Sequence, residues 1–435
     1  MQRFRRCIKA DIGGNNAFAQ RLVEALIIRA VRQEAARHHD VHKLGFRMVG
    51  HWLVPVCVSG HSIVRQGAKG KRMLQGDRAL ALGTMSGTSL DGVDAAVIET
   101  DGVQIYDFGA TAYRAYSAAE QAVVKAHLGR WHSDDVAGAA RIVEDVHLEL
   151  MQSFQGIDIA GFHGQTLAHD PRGRGTHQCG DGQRLAQVLG YPVAWDFRSN
   201  DVAHGGQGAP LAPFYHFALA KWIGALAPVV FLNLGGVGNL TWVDPTREDP
   251  ADPKALLAFD TGPANAPMND LTMQRLGEAF DKDGTRARHG IAEENVLARF
   301  GMHPYFAQAA PKSLDRDAFG GLSADVGNLG DADALATLAA AVVLSVKAGL
   351  ALCPEIPARV LVSGGGRHNK TIMAGLMQAL PCAVQPVEAA GLDGDMLEAQ
   401  AFAFLAVRAA KGLPLSSPET TGVRAPVSGG KIAAP

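Results

Sequence analysis

Leu82-Gly83-Thr84-Met85-Ser86-Gly87-Thr88-Ser89-Leu90-Asp91-Gly92-Val93-Asp94 is the stretch that decides the fold. Apolar residues lead into it (Leu80, Leu82), and an alternating apolar run follows (Val93, Ala95, Val97). That pattern predicts strand, tight polar turn, strand. A turn of Gly, Ser and Thr brings backbone N–H groups close to an anion, because no Cβ blocks the approach. Asp91, inside the turn, is placed to hold a hydrated divalent cation beside a phosphate. Taken alone, the stretch is equally an ordinary Gly/Ser hairpin, so the rest of the chain has to decide.

A second hairpin of the same design follows about 150 residues later. The apolar strand 228–234 runs into Gly235-Gly236-Val237-Gly238-Asn239 and leaves through Leu240-Thr241-Trp242-Val243. A third glycine cluster, Gly364-Gly365-Gly366, follows the apolar strand 359–363 and precedes a helix. Two glycine-rich hairpins with a strand–GGG–helix element are the layout of the actin/hexokinase/Hsp70 nucleotide-binding fold. In that α/β fold two ribonuclease-H-like domains with mixed sheets surround a nucleotide cleft and clamp ATP between facing hairpins. No G-x-x-x-x-G-K-[ST] sequence occurs, which speaks against a P-loop.

The chain has 435 residues, enough for two domains with substantial cores. A hydrophobic content of 47% and a charged content of 19% describe a globular protein rather than a disordered one. A net charge of −2 gives no reason to expect nucleic acid as a partner. The five cysteines (Cys7, Cys57, Cys179, Cys353, Cys382) lack C-x-x-C spacing and read as reduced, mostly buried residues. The longest apolar stretch, 334–353, contains Thr337, Ser345 and Lys347 and reads as a buried helix, not a membrane span. Composition thus predicts a cytoplasmic protein with no membrane partner. The oligomeric state, a homodimer included, is left open.

Further strands are expected at 157–162, 192–195 and 256–259. Helices are expected from Ser133 or Asp134 as cap, over 181–189, near 265–280 and over about 395–411.

The chain resembles the anhydro-N-acetylmuramic acid kinases of bacterial cell-wall recycling. The resemblance is carried by Met85–Asp94, His163-Gly164-Gln165-Thr166, Asp196-Phe197-Arg198 and Gly205-Gly206-Gln207-Gly208-Ala209-Pro210-Leu211. It continues through Asn233-Leu234-Gly235-Gly236, Phe259-Asp260-Thr261-Gly262-Pro263 and Gly364-Gly365-Gly366, in the family's order. Gly236-Val237-Gly238 departs from it, since many relatives place an aromatic after the glycine pair. The family's chain starts just before its first hairpin. Residues 1–78, with 15 Lys/Arg against 5 Asp/Glu, therefore stand apart. They read as a poorly ordered stretch ahead of a true start near Met73, with a basic targeting or docking extension as the alternative. The remainder divides into a first kinase domain at 79–204 and a second at 205–411. The tail 412–435 is expected to pack back on the first.

The resemblance implies an ATP- and Mg²⁺-dependent kinase for a small-molecule sugar, 1,6-anhydro-N-acetylmuramic acid. The phosphate cradle would be Gly87, Thr88, Ser89, Leu90, Asp91, Gly92, Val93 and Asp94 with Asn233, Gly235 and Gly236. Asp91 would serve on the metal side, and Gly364, Gly365 and Gly366 would pass close to the adenosine. Asp-Phe-Arg at a strand end reads either as a structural ion pair or as a catalytic carboxylate, and the resemblance makes Asp196 the general base. Arg198, His163, Gln165, Thr166, Asp260 and Glu398 would face the sugar, although a lone His and an exposed helix Glu also have plain structural readings. Two alternatives remain: a kinase of this fold for another sugar or small acid, and an actin/Hsp70-type protein that uses ATP to switch conformation. The absence of a separate peptide-binding domain after the nucleotide core counts against a chaperone.

Overall fold

The computed structural model describes residues 45–49, 52–56, 78–87, 89–314 and 318–435. Most of the basic N-terminal stretch, and Thr88 of the first turn, lie outside the described residues. Within that stretch β1 (Gly45–Val49) and β2 (Trp52–Val56) pair antiparallel, in a unit separate from the rest of the chain.

In the larger unit the first sheet begins with β3 (Ala79–Met85), β4 (Gly92–Thr100) and β5 (Ile105–Ala115), an antiparallel meander. The strands β6 (Ile159–Phe162) and β9 (Val193–Trp195) then add in parallel beside β3. Between them a side hairpin is formed by β7 (Gln165–Asp170) and β8 (Gly175–Cys179). The second sheet repeats the scheme. The strands β10 (Val229–Leu234), β11 (Val237–Val243) and β12 (Leu256–Pro263) are antiparallel, and β13 (Arg359–Ser363) and β14 (Ala383–Pro386) add in parallel beside β10. A short pair, β15 (Pro414–Ser416) with β16 (Val427–Ser428), precedes β17 (Lys431–Ala433). That last strand returns to the first sheet and pairs antiparallel with β9. Meander plus parallel crossover, twice over, is the two-domain actin- and hexokinase-like α/β architecture.

Strand alternation divides the core into layers. Along β10, Val229 and Phe231 face one side, whereas Val230, Leu232 and Leu234 face the other. Along β4, Ile98 points away from Val93, Ala95 and Val97. The outer face of the first sheet is covered by the helices Ala118–Ala126, Ala137–Met151 and Gly182–Leu189. The outer face of the second is covered by Asn265–Leu276, Asp331–Leu350 and Lys370–Ala379. Asp331–Leu350 has the length and apolarity of a membrane span and is two-thirds buried in that core. Two further helices, Pro213–Trp222 and Leu397–Ala410, lie in one cluster with the inner faces of both sheets.

The helix Leu397–Ala410, expected with the second half, packs instead on β3, β4 and β6 of the first sheet. Two glycines make its approach possible. A Cβ on Gly83 would stand 1.9 Å from the carbonyl oxygen of Ala399 and 2.3 Å from the nitrogen of Ala403; one on Gly161 would stand 2.1 Å from the oxygen of Phe402.

Two helix ends differ from expectation. Neither Ser133 nor Asp134 caps a helix: Asp134 accepts the Trp131 N–H at 2.7 Å, closing the preceding turn, and the helix starts at Ala137 without a side-chain cap. The helix expected to reach 280 stops at Leu276, because Gly277 takes a left-handed conformation (φ 69°) and returns its N–H to Met273 and Thr272.

Candidate active site

The turn between β3 and β4 is held from behind by side chains. Gln165 accepts the Ser86 hydroxyl at 2.6 Å and donates to the Gly87 carbonyl at 3.2 Å. Gln121 donates to the Leu90 carbonyl and the Tyr113 hydroxyl to that of Asp91. Gln165 is fully buried in this role. Thr166 likewise accepts from Gln178. Leu90 and Val93 point into the core as anchors, while Ser89 and Asp91 stand exposed.

Across the cleft, the turn of β10 and β11 is bonded to the start of the helix Asn265–Leu276. Gly235 O accepts the Asn265 N–H, and Gly236 O accepts those of Ala264 and Ala266. Asn233 sits at the end of β10 opposite Asn239. The GGG element leaves β13 beside that turn. A Cβ on Gly364, whose φ is 72°, would meet Asn233 Oδ1 at 2.2 Å, and one on Gly366 would meet Leu234 Cβ at 2.5 Å. Glycine at these positions lets the backbone close on β10. A cavity of about 210 Å³ opens next to it, lined by Gly365, Asn265, Met268, Asn269, His368 and Asn369 among others. Asn265 and Asn269 of this lining had no signal in the sequence, since scattered amides carry no motif.

A second cavity, about 200 Å³, lies between the sheets and brings Arg198, Asp260 and Glu398 together with Met85, Pro210 and Phe402. His163 stands behind it. Its Nε2 receives Arg198 Nε and one terminal nitrogen at 3.2 and 3.0 Å, so Nδ1 carries the proton, which it donates to Gly164 O. Burial, and then Arg198, push His163 well below the ordinary histidine range, so the ring is a neutral support for the guanidinium. Arg198 also donates to Gly208 O at 2.7 Å. Burial pulls it to about 10, and it stays cationic at neutral pH.

The carboxylates of the cleft are pushed the other way. Asp260 is raised to about 7 by burial, against the Leu314 N–H that it accepts at 2.7 Å. Asp94 is raised to about 7 by burial and by Glu398, Asp395, Asp393 and Asp91. Glu398 opens onto the cavity, yet protein surrounds it closely enough for burial to raise it, with Arg198 opposing. The cleft thus gathers acidic groups whose charged forms are disfavoured while no cation is beside them.

Asp196 directly follows β9 and has a left-handed backbone (φ 52°). It is absent from the lining of the second cavity but lies two residues before Arg198 on the same loop. Ser199 donates its hydroxyl to Oδ1, and Lys431 approaches Oδ2 at 2.8 Å. The next loop is fixed by buried Asp201, which accepts the Gly208 N–H and the hydroxyls of Ser416 and Thr421. Neither Lys431 nor Asp201 had a local signal in the sequence, because their partners come from the far end of the chain.

Two glycine hairpins, a cavity beside the GGG turn and a charged cavity between two matched sheets suit a sugar kinase of the actin/hexokinase class. The family model described as anhydro-N-acetylmuramic acid kinase matches residues 79–435, and the chain belongs to that family. A Cereibacter sphaeroides protein of that name is 62% identical over 364 residues, covering 83% of this chain and 98% of its own. One from Ruegeria sp. is 59% identical over 355 residues, covering 82% and 95%. Among solved structures, a ROK family glucokinase from Streptomyces griseus in complex with glucose and AMPPNP aligns at 13% identity and a TM-score of 0.38. It covers 75% of this chain and 99% of that one.

Proposed function

We propose that the protein opens the 1,6-anhydro ring of 1,6-anhydro-N-acetylmuramic acid by hydrolysis. It transfers the γ-phosphoryl group of ATP to O6, giving N-acetylmuramic acid 6-phosphate in cytoplasmic cell-wall recycling. The observation that carries this reading is Asp196, an anchored carboxylate at a strand end beside Arg198, in a chain whose close relatives are named for this substrate.

The anhydro sugar has no free 6-hydroxyl. Water attacks C1 while Asp196 takes its proton, as the base of an inverting glycosidase does. The C1–O6 bond breaks, O6 keeps the bond pair and takes the phosphoryl group, and ADP leaves. The proton returns from Asp196 to solvent. Phosphorus captures the departing oxygen, so no second carboxylate is needed to protonate it. Arg198, braced by neutral His163, holds polar groups of the sugar with Asp260 and Glu398. The two turns and the GGG element cradle the nucleotide.

A magnesium ion would neutralise charge on the β- and γ-phosphates. Asp91 and Asp94 fit it, since the crowded carboxylates that raise Asp94 gain from a divalent cation. Among the described residues no three ligating side chains converge. Such an ion would therefore be held by one or two carboxylates with water and phosphate oxygens.

The test is turnover with ATP and the anhydro sugar in heavy-oxygen water, analysed before anomeric exchange. The product should carry one phosphate and labelled oxygen at C1. Asp196→Asn should lower turnover by roughly 10²–10⁴-fold and leave nucleotide affinity unchanged. Unlabelled C1, or an Asp196→Asn enzyme of near-normal turnover, refutes the mechanism.

A further inference from the structure

We propose that Lys431, delivered by the C-terminal strand β17, is a positioning residue for the Asp196 carboxylate. The inference rests on Asp196 being the general base.

The geometry is specific. Lys431 pairs in register with Trp195, the residue before Asp196, so the strand ladder sets the height of the ammonium against the carboxylate. Its Nζ lies 2.8 Å from Asp196 Oδ2 and 5.1 Å from the centroid of the Trp195 ring. Ser199 takes Oδ1 from the other side. Held at both oxygens, the carboxylate has its plane set, and each oxygen keeps a lone pair for a water proton. The backbone of Asp196 has a left-handed φ of 52°, which a non-glycine residue keeps only when its surroundings impose it.

The pair does not explain itself as a stabilising element. The Lys431 side chain is 64% exposed, and an exposed ion pair contributes only about 0–1 kcal/mol. Nor is the segment loose. Asn200 donates to Ser428 O at 2.5 Å and Gln183 to Ala434 O at 2.8 Å, fastening the strand on both sides of Lys431. The other carboxylates named in the cleft, Asp94, Asp260 and Glu398, are raised by burial or by one another. Asp196, by contrast, has an ammonium in contact, that of Lys431 at 2.8 Å. His132 also feels Asp196, but burial and His177 push it below the ordinary histidine range, so it is a poor source of positive charge.

The experiment compares Lys431→Met, Lys431→Gln and Lys431→Arg in the full chain, with kcat, both KM values and the melting temperature of each. Loss of alignment by about 1 Å costs on the order of 10²-fold. The Met and Gln variants should therefore lose roughly 10–100-fold in kcat, with KM for ATP unchanged, and Arg should recover most of it. In an Asp196→Asn background, Lys431→Met should have no further effect, because its target is gone. A folded variant without the ammonium that keeps parental kcat overturns the proposal. So does a Lys431→Met loss that adds in full to that of Asp196→Asn. If Lys431→Met melts early, the Gln variant carries the same test. Failure of the base assignment is read separately, from turnover in Asp196→Asn alone.

Discussion

Asp260→Asn should stabilise the unliganded protein most at pH 8 and by less than half as much at pH 5. Asp260 is a carboxyl raised from 3.8 to about 7 by burial. Around it stand Tyr305, whose hydroxyl donates to the Asp260 carbonyl, the Leu314 N–H, and Lys312, whose ammonium is taken by the Tyr305 carbonyl. Arg198 and Glu398 line the same cavity. Because the folded value is raised, the native state binds the proton more tightly than the unfolded chain. Stability is then complete below 3.8 and falls as pH climbs through 7. At about 1.4 kcal/mol per tenfold in affinity, the loss is about 4 kcal/mol at most; access to the cavity screens part of it, leaving about 2–4 kcal/mol. Asn keeps the oxygen that accepts the Leu314 N–H and carries no charge. With an unfolding entropy of about 2.1 cal/mol/K per residue over roughly 360 residues, Asp260→Asn should melt about 3–5 °C above the parent at pH 8. Melts at pH 5 and pH 8 in low salt measure the difference directly. An increment equal at both pH values, or larger at pH 5, refutes the reasoning.

Asp91→Asn should weaken the Mg²⁺-dependent part of ATP binding by roughly 10–100-fold, the worth of a charge-assisted contact, and calorimetry with and without the cation reads it. Equal affinities in the two proteins would remove Asp91 from the metal side. Gly83→Ala should cost about 3 kcal/mol or more, because its methyl meets the backbone of Ala399 and Ala403 rather than a movable side chain. Urea unfolding gives the number, and a parental midpoint would mean that the helix Leu397–Ala410 moves aside freely.

Three turns were legible in the sequence because glycine in a tight turn leaves a local mark, and the alternating apolar residues around each fixed the strand direction. The partnerships made by chain return were not legible. The resemblance places Gln165 toward the sugar, but nothing in the sequence shows that its amide braces Ser86 and Gly87. The helix Leu397–Ala410 carries apolar residues on nearly every side, so its pattern cannot say which sheet it packs on. Asp134 has the right chemistry for a helix cap, but a nearer turn at Trp131 claimed it first. Asp260 and Glu398 could be named from their motifs, whereas the raised proton affinity of each depends on burial that only the folded cleft creates.

The shared middle layer has a consequence for the order in which the molecule is made. The inner face of the first sheet, complete in sequence by Trp195, needs the helix Leu397–Ala410 to cover it, and its edge needs Lys431–Ala433. A ribosome adding about 5–20 residues per second spends on the order of 10–40 s on the intervening two hundred residues. For that interval an apolar sheet face waits without its partner. The enzyme closes as one body when the last helix and strand arrive, so Lys431, which meets Asp196, is among the last parts to be put in place.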